Sequence, residues 1–226
     1  MRIPSSRLPI LFAALLFALL SGCASTPEPP AWQSSAHGSL QSFSSAYLSG
    51  DTRIADIEFA RARSELAATG RASLVAQAEL IRCATRVASL EFDSCTGFQA
   101  IAEDVGPAEH SYAAYIAGRW QDLDPALLPA HHRALLTKAA PAGGKSQLSG
   151  IGDPLALLVA AGALLQNGRL TPADIELATE TASEQGWRRP LLAWLGVQAQ
   201  RAQQAGALDT YARLQRRIGL VGNMSK

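Results

Sequence analysis

The sequence predicts an all-α fold, antiparallel helical hairpins arranged as a repeat-like array or an irregular bundle. Three observations predict it. Alanine and leucine dominate from Trp32 onward while valine and isoleucine are sparse, a composition that favours helix over the β-branched and aromatic chemistry of strands. No convincing stretch alternates apolar and polar residues as a half-buried strand would. Helix starts and stops recur at short intervals, as Asp51, Gly70, Asp153-Pro154, Gly168, Thr171-Pro172, Gly186 and Gly206, which are N-cap, first-turn proline and C-terminal glycine signals.

Residues 1–22 read as a signal peptide. Arg2 and Arg7 precede an apolar run from Leu8 to Leu20, and small residues follow, the three regions of a secretory signal. The run is too short for an untilted spanning helix, and no later segment offers an uninterrupted apolar run of spanning length. Leu20-Ser21-Gly22-Cys23 resembles the lipobox of bacterial lipoproteins. That resemblance implies a mature chain that begins at Cys23, carries diacylglycerol on its sulfur and an acyl group such as palmitate on its new amino group. An ordinary secretory signal with an incidental cysteine is the alternative. Ala24 stands where aspartate often retains lipoproteins in the inner membrane, so the resemblance implies the outer membrane, facing the periplasm. Two or three acyl chains anchor stably, since each buried methylene contributes about 0.8 kcal/mol.

Residues 23–31 form the lipidated N-terminus and a tether, with Ala24 to Pro30 reading Ala-Ser-Thr-Pro-Glu-Pro-Pro, an extended proline-rich segment. Residues 32–226 form the helical periplasmic domain. Helices are expected at about 32–49, 52–69, 72–91, 95–104, 107–117, 125–139, 153–167, 172–185, 189–205 and 208–218. In the second, Ala55, Phe59, Ala62 and Leu66 share one face at four-three-four spacing. That stripe must be buried against neighbours, and the short connections favour antiparallel ones. Tyr47 to Gly50, Phe59, Ala62 and Gly70-Arg71 resemble tetratricopeptide-type units, although no regular 34-residue series carries the full signature of that repeat. Residues 139–152 are dense in glycine and proline, and mark either a joint before a C-terminal four-helix region or, preferably, a surface loop inside one continuous fold.

With Cys23 assigned to lipid, Cys83 and Cys95 remain as an even pair in an oxidising compartment. A chain reversal near Asp93 brings them within reach, and the reading is a Cys83–Cys95 disulfide, with two reduced buried cysteines as the alternative. Their spacing is not that of a thioredoxin-like redox pair.

Composition and motifs exclude much. Removing residues 1–22 leaves 18 basic against 19 acidic side chains, so nothing advertises a polyanion, and no nucleic acid is expected as partner. Gly144-Lys145-Ser146 lacks the earlier glycine of a phosphate loop and follows no strand, so no nucleotide is expected. His131-His132, His37 and His110 match no metal-ligand spacing, and adjacent helical residues point about 100° apart. No Gly-x-Ser-x-Gly elbow occurs. No local carboxylate pair stands out for cell-wall hydrolysis. No cofactor, metal or catalytic residue is assigned, and the chain is not expected to be an enzyme.

Two aromatic-arginine clusters are candidates for recognition, because such residues anchor interfaces: Tyr112, Tyr115 and Trp120 around the Gly118-Arg119 turn, and Trp187 with Arg188 and Trp194. The competing reading is packing between helices. As a whole the chain resembles proteobacterial outer-membrane lipoproteins with a mostly helical periplasmic domain. That resemblance implies a noncatalytic adaptor or accessory protein, held in membrane lipid through Cys23 and bound to another periplasmic or outer-membrane protein. A hydrophobic-ligand carrier is the second reading and a cell-wall hydrolase the third.

Overall fold

Capped, alanine-rich amphipathic stretches become helices at nearly the expected bounds. A computed structural model describes residues 30–137 and 144–222. The signal peptide, Cys23 and the tether up to residue 29 lie outside the described residues. All described regular structure is helical, and none of these helices is long and apolar enough to cross a membrane. In order they are α1 Ala31–Ser49, α2 Thr52–Ala67, α3 Ala72–Ala88, α4 Thr96–Gln99, α5 Pro107–Ile116, α6 Ala130–Thr137, α7 Pro154–Asn167, α8 Pro172–Glu184, α9 Arg188–Gln204 and α10 Leu208–Gly222. Single 3₁₀ turns occupy Ala102–Asp104 and Pro125–Leu127.

Two expected helices are broken. The one at 95–104 becomes α4 and a 3₁₀ turn, because Cys95 takes a left-handed conformation (φ +52°) and Ile101 leaves helical geometry. The one at 125–139 is interrupted by Pro129, which drives Leu128 into extended backbone (ψ 155°), as the ring's clash with the preceding residue requires. The caps act as read: the side chains of Asp51 and Asp153 accept from the amides of Ile54 and Ala156, and Gly168 closes α7 at positive φ.

α1, α2 and α3 run antiparallel in turn. At one end the Arg71 guanidinium lies 5.4 Å from the centre of the Trp32 ring; midway, the rings of Phe43 and Phe59 meet at 5.3 Å. Ala36, Phe43, Tyr47, Ala55, Phe59, Leu66, Val75 and Ala78 fill the small core between these helices. On α3 the carboxylate of Glu79 is only 2 % exposed; it accepts a hydrogen bond from Arg63 Nε at 2.8 Å and forms an ion pair with Arg82 Nη2 at 2.8 Å. Two cations compensate the desolvation of that anion, and Gly97 sits so close that any β-carbon there would collide with it.

The other face of α3 belongs to the main core. There α7 is buried on all sides from Ala156 to Leu164, the pattern of a central helix with no polar face. Gly162 lets α7 approach α3, since a β-carbon would strike the carbonyl of Val87. α7 packs on α8, α8 on α9, and α9 on α10. Connections of only three or four residues make each successive pair an antiparallel hairpin.

Cys83 and Cys95 form a disulfide with Cα atoms 5.8 Å apart, tying the C-terminal half of α3 to the start of α4. The described part of the 139–152 segment is packed against the fold. Leu148 and Ile151 enter the main core, and Ser146 and Gln147 bond to Asp174 of α8. Residues 138–143 lie outside the described residues. Trp32–Lys226 forms one compact unit.

Candidate functional site

The break at Leu128-Pro129 shapes a groove. The break at Pro129 separates the 3₁₀ turn Pro125–Leu127, which packs on α5, from α6, and an open cleft of about 450 Å³ lies between this segment, α3 and α5. Leu80 and Ile81 of α3, Tyr112 of α5, and Leu127, Leu128 and Pro129 supply its apolar lining. The polar members sit in pairs or are tied back. The Gln77 amide reaches the Glu109 carboxylate at 3.5 Å, and Arg133 Nε donates to the Leu128 carbonyl at 2.8 Å.

Beside the groove is an aromatic stack. Tyr112 lies 6.2 Å from Tyr115 and 6.0 Å from His132, centre to centre. Tyr115 in turn stacks on Trp120 at 5.3 Å, and Arg169 covers the outer face of Trp120 at 5.2 Å. Trp120 Nε1 donates to the Tyr115 carbonyl at 2.8 Å, whereas the buried His132 Nε2 has no hydrogen-bond partner among the described residues. Tyr115 Oη and His132 Nδ1, 3.0 Å apart, share a hydrogen bond whose direction follows the imidazole tautomer. His132 is only 1 % exposed. Burial, aided by the neighbouring His131, pulls its pKa down to about 3, while burial pushes the Tyr112 and Tyr115 phenols up. All three rings are therefore neutral at pH 7 and act as a packed wall.

His132 should be visible in the pH dependence of stability. Its folded pKa is below the 6.5 of the free side chain, so the unfolded chain takes up the proton first. Stability should fall as pH drops through 6.5, and go on falling toward pH 3, at up to about 1.4 kcal/mol per unit from this group. Urea melts at pH 7, 6, 5 and 4 should show a shallower decline for His132→Gln than for the wild type.

The recognition clusters divide. Tyr115, Trp120 and Trp194 are buried in the main core, so they are packing residues and not surface anchors. Trp194 donates its Nε1 proton to the Ala88 carbonyl at 3.2 Å, bonding α9 to α3. Trp187 is half-buried against the same core. Arg188 lies against the α1–α2 turn, where a β-carbon on Gly50 would meet its Nη2 at 2.6 Å. Its neighbour Arg189 bonds the Tyr47 carbonyl (2.8 Å), Glu91 (3.0 Å) and Thr52 (2.6 Å), and stacks 4.2 Å over the Tyr47 ring. This arginine pair closes the fold on itself. Tyr112 alone of the six candidates lines the groove.

Pattern reading missed the rest of the groove, for which Pro129 inside an expected helix was the available signal. Among the described residues no group of three or more histidine, cysteine, aspartate or glutamate side chains is arranged to hold a metal ion. Compared with models of protein families, with curated proteins and with solved structures, the chain matches none, so the groove and the stack beside it are interpreted on their own chemistry.

Proposed function

We propose that the chain is a noncatalytic accessory lipoprotein of the bacterial envelope. Acylated Cys23 anchors it in the periplasmic leaflet of the outer membrane, and its helical body holds an apolar segment of another envelope protein. Leu20-Ser21-Gly22-Cys23 and the proline-rich tether support the anchor. The observation that carries the binding role is the open apolar groove between α3, α5 and the Pro125–Pro129 segment. A small-molecule site buries most of its ligand's surface. This cleft is open to solvent, and suits a side chain or two projecting from a protein partner better than a free acyl chain.

Ala126 lines the groove yet is exposed, so Ala126→Arg should block it without touching the core. Proteins crosslinked to the acylated chain in intact native cells should be quantified by mass spectrometry against a host lacking the chain. One envelope protein should be enriched with the wild type and reduced at least tenfold with Ala126→Arg, a loss of about 1.4 kcal/mol or more, while thermal melting stays unchanged. Equal enrichment with both chains would remove the groove from the contact. No enriched protein despite efficient crosslinking would sink the adaptor reading, and lipid extraction would then test the carrier.

A further inference from the structure

We infer that the end of the body carrying Trp32 and Arg71 rests on the bilayer surface, among phospholipid headgroups. This rests on the anchoring reading above and adds which surface faces the lipid. Eight residue steps, across seven intervening residues, lead from Cys23 to Ala31, where α1 begins. Fully extended as a polyproline-type strand they span about 25 Å. α1 itself, at 19 residues, is about 28 Å long. The tether is therefore no longer than about the length of the first helix, and the start of α1 cannot move far from the membrane.

The chemistry at that end suits such a surface. Trp32 is half-exposed, with an apolar ring and a polar N–H of the kind that settles at headgroup level. The Arg71 guanidinium is stacked beside it and is exposed, free to meet lipid phosphate. Arg71 follows Gly70 in the α2–α3 turn, where φ is +68° and a β-carbon would meet nothing within 4 Å, so the turn projects from the body. A single arginine and a single tryptophan bind a bilayer weakly on their own. Held within about 25 Å by a covalent anchor, the contact becomes intramolecular, and a weak preference suffices to populate it.

The four tryptophans make this testable. Trp120 and Trp194 are buried. Trp187 is half-exposed and stands just before the arginine pair that grips the α1–α2 turn, at the far end of α1 from Trp32. The acylated full-length chain should be reconstituted into phosphatidylethanolamine–phosphatidylglycerol vesicles with brominated acyl chains, which quench only indole rings at the bilayer. Emission should fall relative to unbrominated vesicles. The fall should vanish in Trp32→Phe, persist in Trp187→Phe and shrink in Arg71→Glu. If the chain floats with the vesicles but is not quenched, or if quenching survives Trp32→Phe, the inference is overturned and the anchor stands. If the acylated chain does not float, the anchor fails and this inference with it.

Discussion

Asp174→Ala is expected to lower folding stability by about 3–5 kcal/mol, because a charge-assisted hydrogen bond contributes about 1.5–3 kcal/mol and several converge here. The Asp174 side chain is fully buried. It accepts from the Thr171 amide and hydroxyl at 2.9 and 2.7 Å, the Ser146 hydroxyl at 2.7 Å, and the Gln147 amide and side chain at 2.9 and 3.0 Å. The Thr171 amide bond is one half of the capping box of α8, whose other half is the Asp174 amide donating to Thr171 Oγ1 at 3.3 Å; the Ser146 and Gln147 bonds pin the segment before α7 to it. Burial pushes the carboxyl upward, but donors from Gln147, Ser146 and Thr171 more than offset it, so its pKa is held below the ordinary value. A depressed carboxylate stabilises above its unfolded pKa, near 4, and that contribution is lost as pH falls through the folded value. Urea denaturation should show the loss at pH 7, and Asp174→Asn should flatten the decline of stability below pH 4. An Asp174→Ala midpoint within error of the wild type would show that water replaces the carboxylate without cost.

Trp194→Ala should be of similar size, about 3–5 kcal/mol, the range for removing a large buried aromatic. The ring is fully buried, and its loss also strips the Ala88 carbonyl of its indole partner. Trp194→Phe keeps most of the apolar volume and should cost roughly 1–2 kcal/mol. Calorimetry separates these values from a recognition role. A tryptophan acting as a surface anchor would leave the melting temperature in place and alter only the binding of a partner.

Much of the fold was legible because its signals are local. Caps such as Asp153 and Thr171, the stripe from Ala55 to Leu66 and the evenness of two cysteines each depend on residues close in sequence. The site depended on partners that are not. Nothing near Trp194 announces that its neighbour is Ala88, 106 positions away. Arginine beside tryptophan reads equally well as an anchor for another protein or as a clasp within this one. No local pattern marks Glu79 as buried, because its hydrogen-bond partner Arg63 stands on a different helix. The groove could have been anticipated from Pro129, but its opposite wall comes from α3 and α5, and no spacing rule places those helices there.

Arg189 joins the backbone at Tyr47 across 142 residues, and this sets an order of events in folding. A chain synthesised from its N-terminus presents α1 and α2 long before α9 arrives. The clasp is made by the next-to-last described helix, α9. Closure of such long separations pays its loop entropy late and folds slowly. The N-terminal hairpin therefore stays unclasped at Tyr47 until Arg189 is in place.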